Sequence, residues 1–180
     1  LHRVKPEPTF QRKGAKFFLC AFALKSPIFY SSFSQGSTMR QKTCPCGSGK
    51  MDADCCAPYL TGQAKPALPV QLMRSRYTAF CQGNIDYLVA THHPSKRKAD
   101  DRQTLAQTIA ETEWLGLRIL HTDESKVAAG IGTVEFVAFY KSVGGVGQLH
   151  EKSEFIRQNG RWYYLQGVLL GPIHGGHDAR

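Results

Sequence analysis

No stretch of these 180 residues comes near the roughly 18–20 consecutive apolar positions that a membrane-spanning helix needs. The longest run, Phe17 to Leu24, is about half that length, so the sequence gives no ground for a membrane partner. Acidic residues are scarce as well, 14 against 23 Lys and Arg, for a formal net charge of +9. Such an excess ordinarily points to an anionic partner, but its distribution weakens that reading. Residues 1–38 hold six basic residues and one acidic, +5 of the +9, and the rest of the chain is only mildly basic. A disulfide framework is also missing. Four of the six cysteines crowd into residues 44–56, while Cys20 and Cys81 stand alone, which is spacing for a metal rather than for bridges. Reduced thiols and a cytoplasmic location follow.

What is present begins at Met39. The preceding residues, 1–38, run from basic positions into an apolar stretch as a secretory signal does, but that stretch is short and no small-x-small cleavage site follows. They are expected to be an extension foreign to the working protein or without fixed structure. In Cys44-Pro45-Cys46-Gly47-Ser48-Gly49-Lys50, two thiols one residue apart can reach the same ion if the backbone turns tightly. Pro45 fixes one dihedral, and Gly47 and Gly49 allow left-handed ones. Cys55 and Cys56 then complete four thiolates, a set that suits one structural Zn2+ with no open position for substrate. Iron is the competing ion, since soft thiolates suit it too. Gly47-Ser48-Gly49-Lys50 ends like a phosphate-binding loop, but Cys44 stands where its first glycine belongs and Met51 where Ser or Thr belongs. Arg40, Lys42 and Lys50 flank the knuckle as a solvated loop or as a basic face for an acidic partner.

Residues 63–70, with Pro66 and Pro69, read as a linker. A helix follows, with Met73, Tyr77, Phe80 and Cys81 on the inner face, Arg74, Ser75, Thr78 and Gln82 outward, and Gly83 as its stop. A second helix has Asn84 as its N-cap, with Ile85, Leu88, Val89 and His92 on one face and Pro94 as its stop, and a third is expected over Thr104 to Glu113 with Leu105, Ile109 and Trp114 inward. Strands are expected over 115–121, 127–140, 148–157 and 161–168, separated by turn signals of which Asn159-Gly160 is the strongest. Helices first and an antiparallel meander afterward make an α+β domain over 71–172, helices packed on a curved sheet, with a small N-terminal zinc knuckle over 39–62. Residues 173–180, with His174 and His177, read as a tail. Lys96-Arg97-Lys98 is a basic loop, but Asp100-Asp101 follow at once, so nucleic-acid binding is weakly supported.

Two resemblances rest on these residues. Cys44-Pro-Cys-Gly-Ser-Gly-Lys with Cys55-Cys56 resembles the SEC-C motif, the zinc-binding segment of the preprotein translocase motor ATPase. Leu72-Met-Arg-Ser-Arg-Tyr-Thr-Ala-Phe80, Asn84-Ile-Asp-Tyr-Leu88, His93-Pro94, Val134-Glu-Phe-Val-Ala138 and Glu151-Lys-Ser-Glu-Phe155 resemble the YchJ-like family of bacterial proteins. That resemblance implies a nuclear-transport-factor-2-like (NTF2-like), cystatin-like cone over the main domain. It also implies Cys44, Cys46, Cys55 and Cys56 as metal ligands, and it carries over no catalytic residue.

Two functions remain open. One is a metal-stabilised adaptor that docks a protein partner, an acidic protein or the ribosome, as the SEC-C resemblance implies. The other is a small-ligand binder or enzyme using the cone interior. Its candidate pocket residues are Arg76, Tyr77, His93, Trp114, Glu135 and Glu151. Period-2 alternation puts Glu151 with Leu149 and Phe155 and His150 with Ile156, so Glu151 and His150 cannot both point inward. Oligomeric state is not legible.

Overall fold

The computed structural model describes residues 42–173. The expectations for residues 1–38, for Arg40 and for His174 and His177 lie outside them. After a short helix α1 (Ala57–Leu60), Pro69 opens the main helix α2 (Pro69–Gln82). Proline suits that first position because its missing N–H would have no partner there. Gln71 Oε1 closes the turn by accepting from the Ala67 and Leu68 amides at 2.7 and 3.1 Å. The expected linker is therefore two residues too long, since Pro69 starts a helix. At the other end Gly83 takes φ 71°. Its amide donates to Phe80 O, and the Asn84 amide to Ala79 O, the paired bonds of a left-handed helix stop.

The inner and outer faces assigned to α2 need correction. Ser75 and Thr78, expected outward, are fully buried, and Cys81, expected inward, is exposed. A one-sided helical pattern assumes one covered face, but α2 is covered on two. The sheet lies on one side. On the other, Ser75 Oγ meets the Tyr87 hydroxyl at 2.7 Å and Thr78 Oγ1 meets Cys44 Sγ at 3.6 Å.

Helix α3 (Ile85–Ala90) is capped by Asn84, whose side chain accepts from the Tyr87 amide at 3.0 Å. Helix α4 (Asp101–Glu111) begins three residues before the expected start, and none of its residues is buried. Trp114, expected at its end, belongs to the sheet. That sheet is an antiparallel meander of β1 (Glu113–Asp123), β2 (Ile131–Ser142), β3 (Gly145–Gln158) and β4 (Arg161–Leu169), in chain order. Asn159 and Gly160 both take positive φ, 51° and 73°, as the tight two-residue hairpin requires. Register shifts at Trp114/Gly116, Ile119/His121 and Glu154/Phe155 bend the strands, and curl the sheet around α2.

Val134, Phe136 and Ala138 alternate inward along β2, and meet Leu72, Met73 and Tyr77 of α2 in a core that includes Phe155 and Trp162. Burying Phe155, 1% exposed, contributes about 1.5–3 kcal/mol. Beyond α3, Thr91 and His93 bond the backbone of Tyr164, at 2.9 and 2.8 Å, and so cover the edge of β4. All described residues fall in one compact unit. The core cluster includes Cys44, Cys46 and Cys56, so the knuckle packs into the cone rather than hanging from it as a separate appendage.

Candidate metal centre and cone cavity

The knuckle is a small hairpin. The Cys44 amide donates to Lys50 O and the Asp52 amide to Lys42 O, both at 2.9 Å, which turns the chain back on itself within the Cys44–Cys55 loop. A single 3-10 turn, Asp52–Asp54, then presents Cys55 and Cys56 to the first two cysteines. Gly47 makes the turn fit. Its φ is 73°, and a Cβ there would stand 2.5 Å from Leu117 O, so any side chain would be both strained and obstructed. Arg74 Nη1 donates to Cys46 O at 2.6 Å and fastens the loop to α2.

All four Sγ atoms lie within 4.8 Å of one another. Cys46 and Cys55 are 3.5 Å apart, and Cys55 and Cys56 3.9 Å. Four sulfurs at about 2.3 Å from one tetrahedral ion would stand about 3.8 Å apart, so the donor set fits a single ion. Its chemistry agrees. A hydrogen bond from Cys56 holds the Cys46 thiol down at about 4, while burial pushes Cys44 up to about 12. Cys56 is raised too, first by its bond to Cys46 and then by burial. A divalent ion would let all four ionise together. Four ligands leave no open position, so such an ion shapes the fold and does no chemistry.

A second feature lies between the concave face of the sheet and helices α2, α3 and α4. It is a cavity of about 330 Å³, walled by apolar groups such as Met73, Phe80, Leu105, Phe136 and Leu149. Four of the six expected pocket residues line it: Arg76, Tyr77, Trp114 and Glu151. Arg76 is 8% exposed, and its Nη1 donates to Leu88 O at 2.8 Å and Thr91 Oγ1 at 2.7 Å. Burial lowers its pKa to about 10, so it stays charged at neutral pH. Its carbon Cζ stands 4.8 Å over the ring of Tyr164. The Glu151 carboxylate accepts from Ser153 Oγ at 2.6 Å and from the Tyr164 hydroxyl at 3.1 Å. Burial, then Glu151, raises the Tyr164 phenol, which therefore remains a donor.

His93 and Glu135 are not in the cavity. Pro94 starts a 3-10 turn that leaves His93 half-buried outside the cavity, against the Tyr163 ring and bonded to Ser95 and Gln158. Glu135 projects from the opposite face of β2 to Phe136 and meets His150 Nε2 at 2.8 Å. On that same outer face His150 Nδ1 donates to Gly171 O, a bond that, with Glu135, raises the histidine's pKa. The alternation of β3 therefore sends Glu151 inward and His150 outward.

The lining also holds polar residues that were not expected in the pocket, among them His92, Asp101, Ser153 and Tyr164. His92 Nδ1 lies 3.4 Å from Asp101 Oδ2, bridging α3 and α4 where both are partly exposed. No spacing joins them in the sequence. The basic loop is not a free patch: Arg97 donates to Ala90 O and His92 O at the end of α3, and Lys96 to Gln166. A larger groove of about 420 Å³ beside α1, with Tyr59, Pro66 and Arg161 in its walls, holds no buried charged side chain.

Comparison with known proteins gives this geometry a lineage. The profile of the YchJ middle NTF2-like domain matches residues 68–167. A UPF0225 protein of Serratia proteamaculans is 42% identical over 132 residues, 72% of this chain and 84% of that protein. One from Pectobacterium carotovorum is 45% identical over 130 residues, 71% and 83%. Among solved structures, a SEC-C motif containing protein from Rhodopseudomonas palustris is 37% identical with a TM-score of 0.66, covering 72% of this chain and all of that one. Another, from Psychrobacter arcticus, is 27% identical with a TM-score of 0.62, covering 74% and 85%.

Proposed function

The chain belongs to the YchJ-like (UPF0225) family, and from that premise we propose that it is a zinc-stabilised protein whose NTF2-like cone binds a small ligand in its interior. The observation that carries this reading is the cavity of about 330 Å³, which holds a charged guanidinium and a carboxylate among apolar walls. Binding pockets typically span about 300–1,000 Å³, mostly apolar with a few placed polar groups. The ion is zinc, since four closed thiolates suit a redox-inert tetrahedral cation. Such thiolates survive in a reducing compartment, which favours the cytoplasm. No helix among the described residues is long and apolar enough to cross a membrane.

The test fills the cavity without touching the metal. Ala138, 1% exposed, lines it from β2, and Ala138→Leu would occupy part of the space. Indole, a neutral aromatic probe, should raise the Tm of the zinc-loaded protein and fail to raise that of the variant. Equal shifts in both proteins would end the cavity reading.

A second reading, the adaptor, draws support from Lys42 and Lys50, exposed on the outer side of the knuckle beside a half-exposed Met51. An acidic protein or the ribosome would dock there. Lys42→Glu with Lys50→Glu should then abolish recovery of that partner from native lysate, and unchanged recovery would count against the adaptor.

A further inference from the structure

The cavity holds two opposite charges that do not meet. Arg76 and Glu151 both line it, yet they form no ion pair among the described residues. Pairing would relieve much of the penalty of burying the Arg76 charge. Instead the protein holds them apart. Arg76 is tied back by Leu88 O and Thr91 Oγ1, Glu151 by Ser153 and Tyr164. Tyr164 stands between them, its ring beneath the guanidinium and its hydroxyl on the carboxylate. Each charge also keeps unused capacity. Arg76 spends only Nη1, leaving Nε and Nη2 without a protein partner, and Glu151 spends only Oε1, leaving Oε2. The indole Nε1 of Trp114, another residue of the lining, is a buried donor without a partner among the described residues. Those Arg76 and Glu151 atoms still reach water, so a ligand that fills the cavity displaces that water and has to replace its bonds.

We infer that the cavity takes a zwitterionic α-amino acid with an apolar, aromatic or branched side chain, its carboxylate on Arg76 and its ammonium on Glu151. The proposal rests on the ligand-binding reading of the cone and specifies it. A guanidinium presents a fork of N–H donors that matches a carboxylate, and charge-assisted bonds of this kind are roughly twice as strong as neutral ones. A simple anion would satisfy Arg76 but bring a second negative charge beside Glu151. A simple amine would do the reverse beside Arg76. Among charged ligands, one with both poles leaves the net charge of the site unchanged, and Phe80, Phe136 and Leu149 offer its side chain apolar walls. Asp101, the other carboxylate of the lining, is partly in solvent, and its Oδ2 accepts from the Lys98 amide at 3.0 Å and lies 3.4 Å from His92 Nδ1.

Calorimetric titration of the zinc-loaded full chain tests this with named probes: L-phenylalanine, L-leucine, 3-phenylpropionate, 2-phenylethylamine and indole. One of the amino acids should bind about tenfold or more tighter than either single-charge analogue. Glu151→Gln should erase the advantage of L-phenylalanine over 3-phenylpropionate. If that variant does not fold, Tyr164→Phe, which removes one bond to the same carboxylate, should reduce the advantage. Indole binding with no preference for amino acids would overturn the zwitterion and leave the cavity reading standing. So would 3-phenylpropionate binding as tightly as L-phenylalanine. If no probe binds, indole included, the cavity reading falls with the proposal.

Discussion

A thiolate that loses its place in a closed tetrahedron cannot be replaced by a neighbour, because Cys81, the other cysteine among the described residues, is exposed on the far turn of α2. Cys44→Ser should therefore lower bound zinc from about one ion per chain to a small fraction, read by elemental mass spectrometry. His92 gives a second single-residue test. Burial first and Arg76 second lower its pKa from the ordinary value near 6.5, with Asp101 opposing them. The folded protein then binds fewer protons than the unfolded chain just below about pH 6.5, so stability should fall as pH drops through that window. In His92→Gln the fall should be smaller, measured as Tm against pH. At this scale the sequence was legible where chemistry depends on local spacing, as with the four cysteines. It was not legible where one residue decides the face. His92, expected on one face with Leu88, does line the cavity, but His93, expected in the pocket, lies outside it, bonded to Ser95 and Gln158 beside the turn that Pro94 starts.

Elements depend on small residues where two of them touch. Gly47 carries the knuckle past the backbone of β1, and its positive φ and the nearby Leu117 O leave no room for a methyl. Gly47→Ala should destabilise the protein by about 1–3 kcal/mol in urea unfolding and weaken zinc retention. Gly167 of β4 lets the Glu151 side chain lie across it, and a Cβ there would overlap that carboxylate. Gly167→Ala should therefore displace Glu151 and diminish any preference for an amino acid over its des-amino analogue, read in the same titrations. The strands were readable from their turn residues, Asn159-Gly160 above all, because a hairpin of two positive φ values needs them. The bulges that curl the sheet leave no local signature. Nor could a single helical period reveal that α2 is covered on two sides, since Ser75 and Thr78 look like surface residues until Tyr87 and Cys44 arrive from distant parts of the chain.

Across the whole molecule, the knuckle and the cone share one core, so removing the ion should unsettle both. Chelation should lower the Tm of the single unfolding transition by at least about 5 °C, rather than melt the knuckle alone. The proposed function divides metal and cavity: the cysteines hold the loop that Arg74 fastens to α2, and Arg76, two residues further along the same helix, lines the cavity. The most direct test of that division is an amide chemical-shift map of the zinc-loaded protein titrated with indole. Shifts should gather on α2, β2 and β3 around Arg76, Ala138 and Glu151 and spare Lys42 to Lys50. Shifts confined to the knuckle, or none at saturating indole, would contradict it.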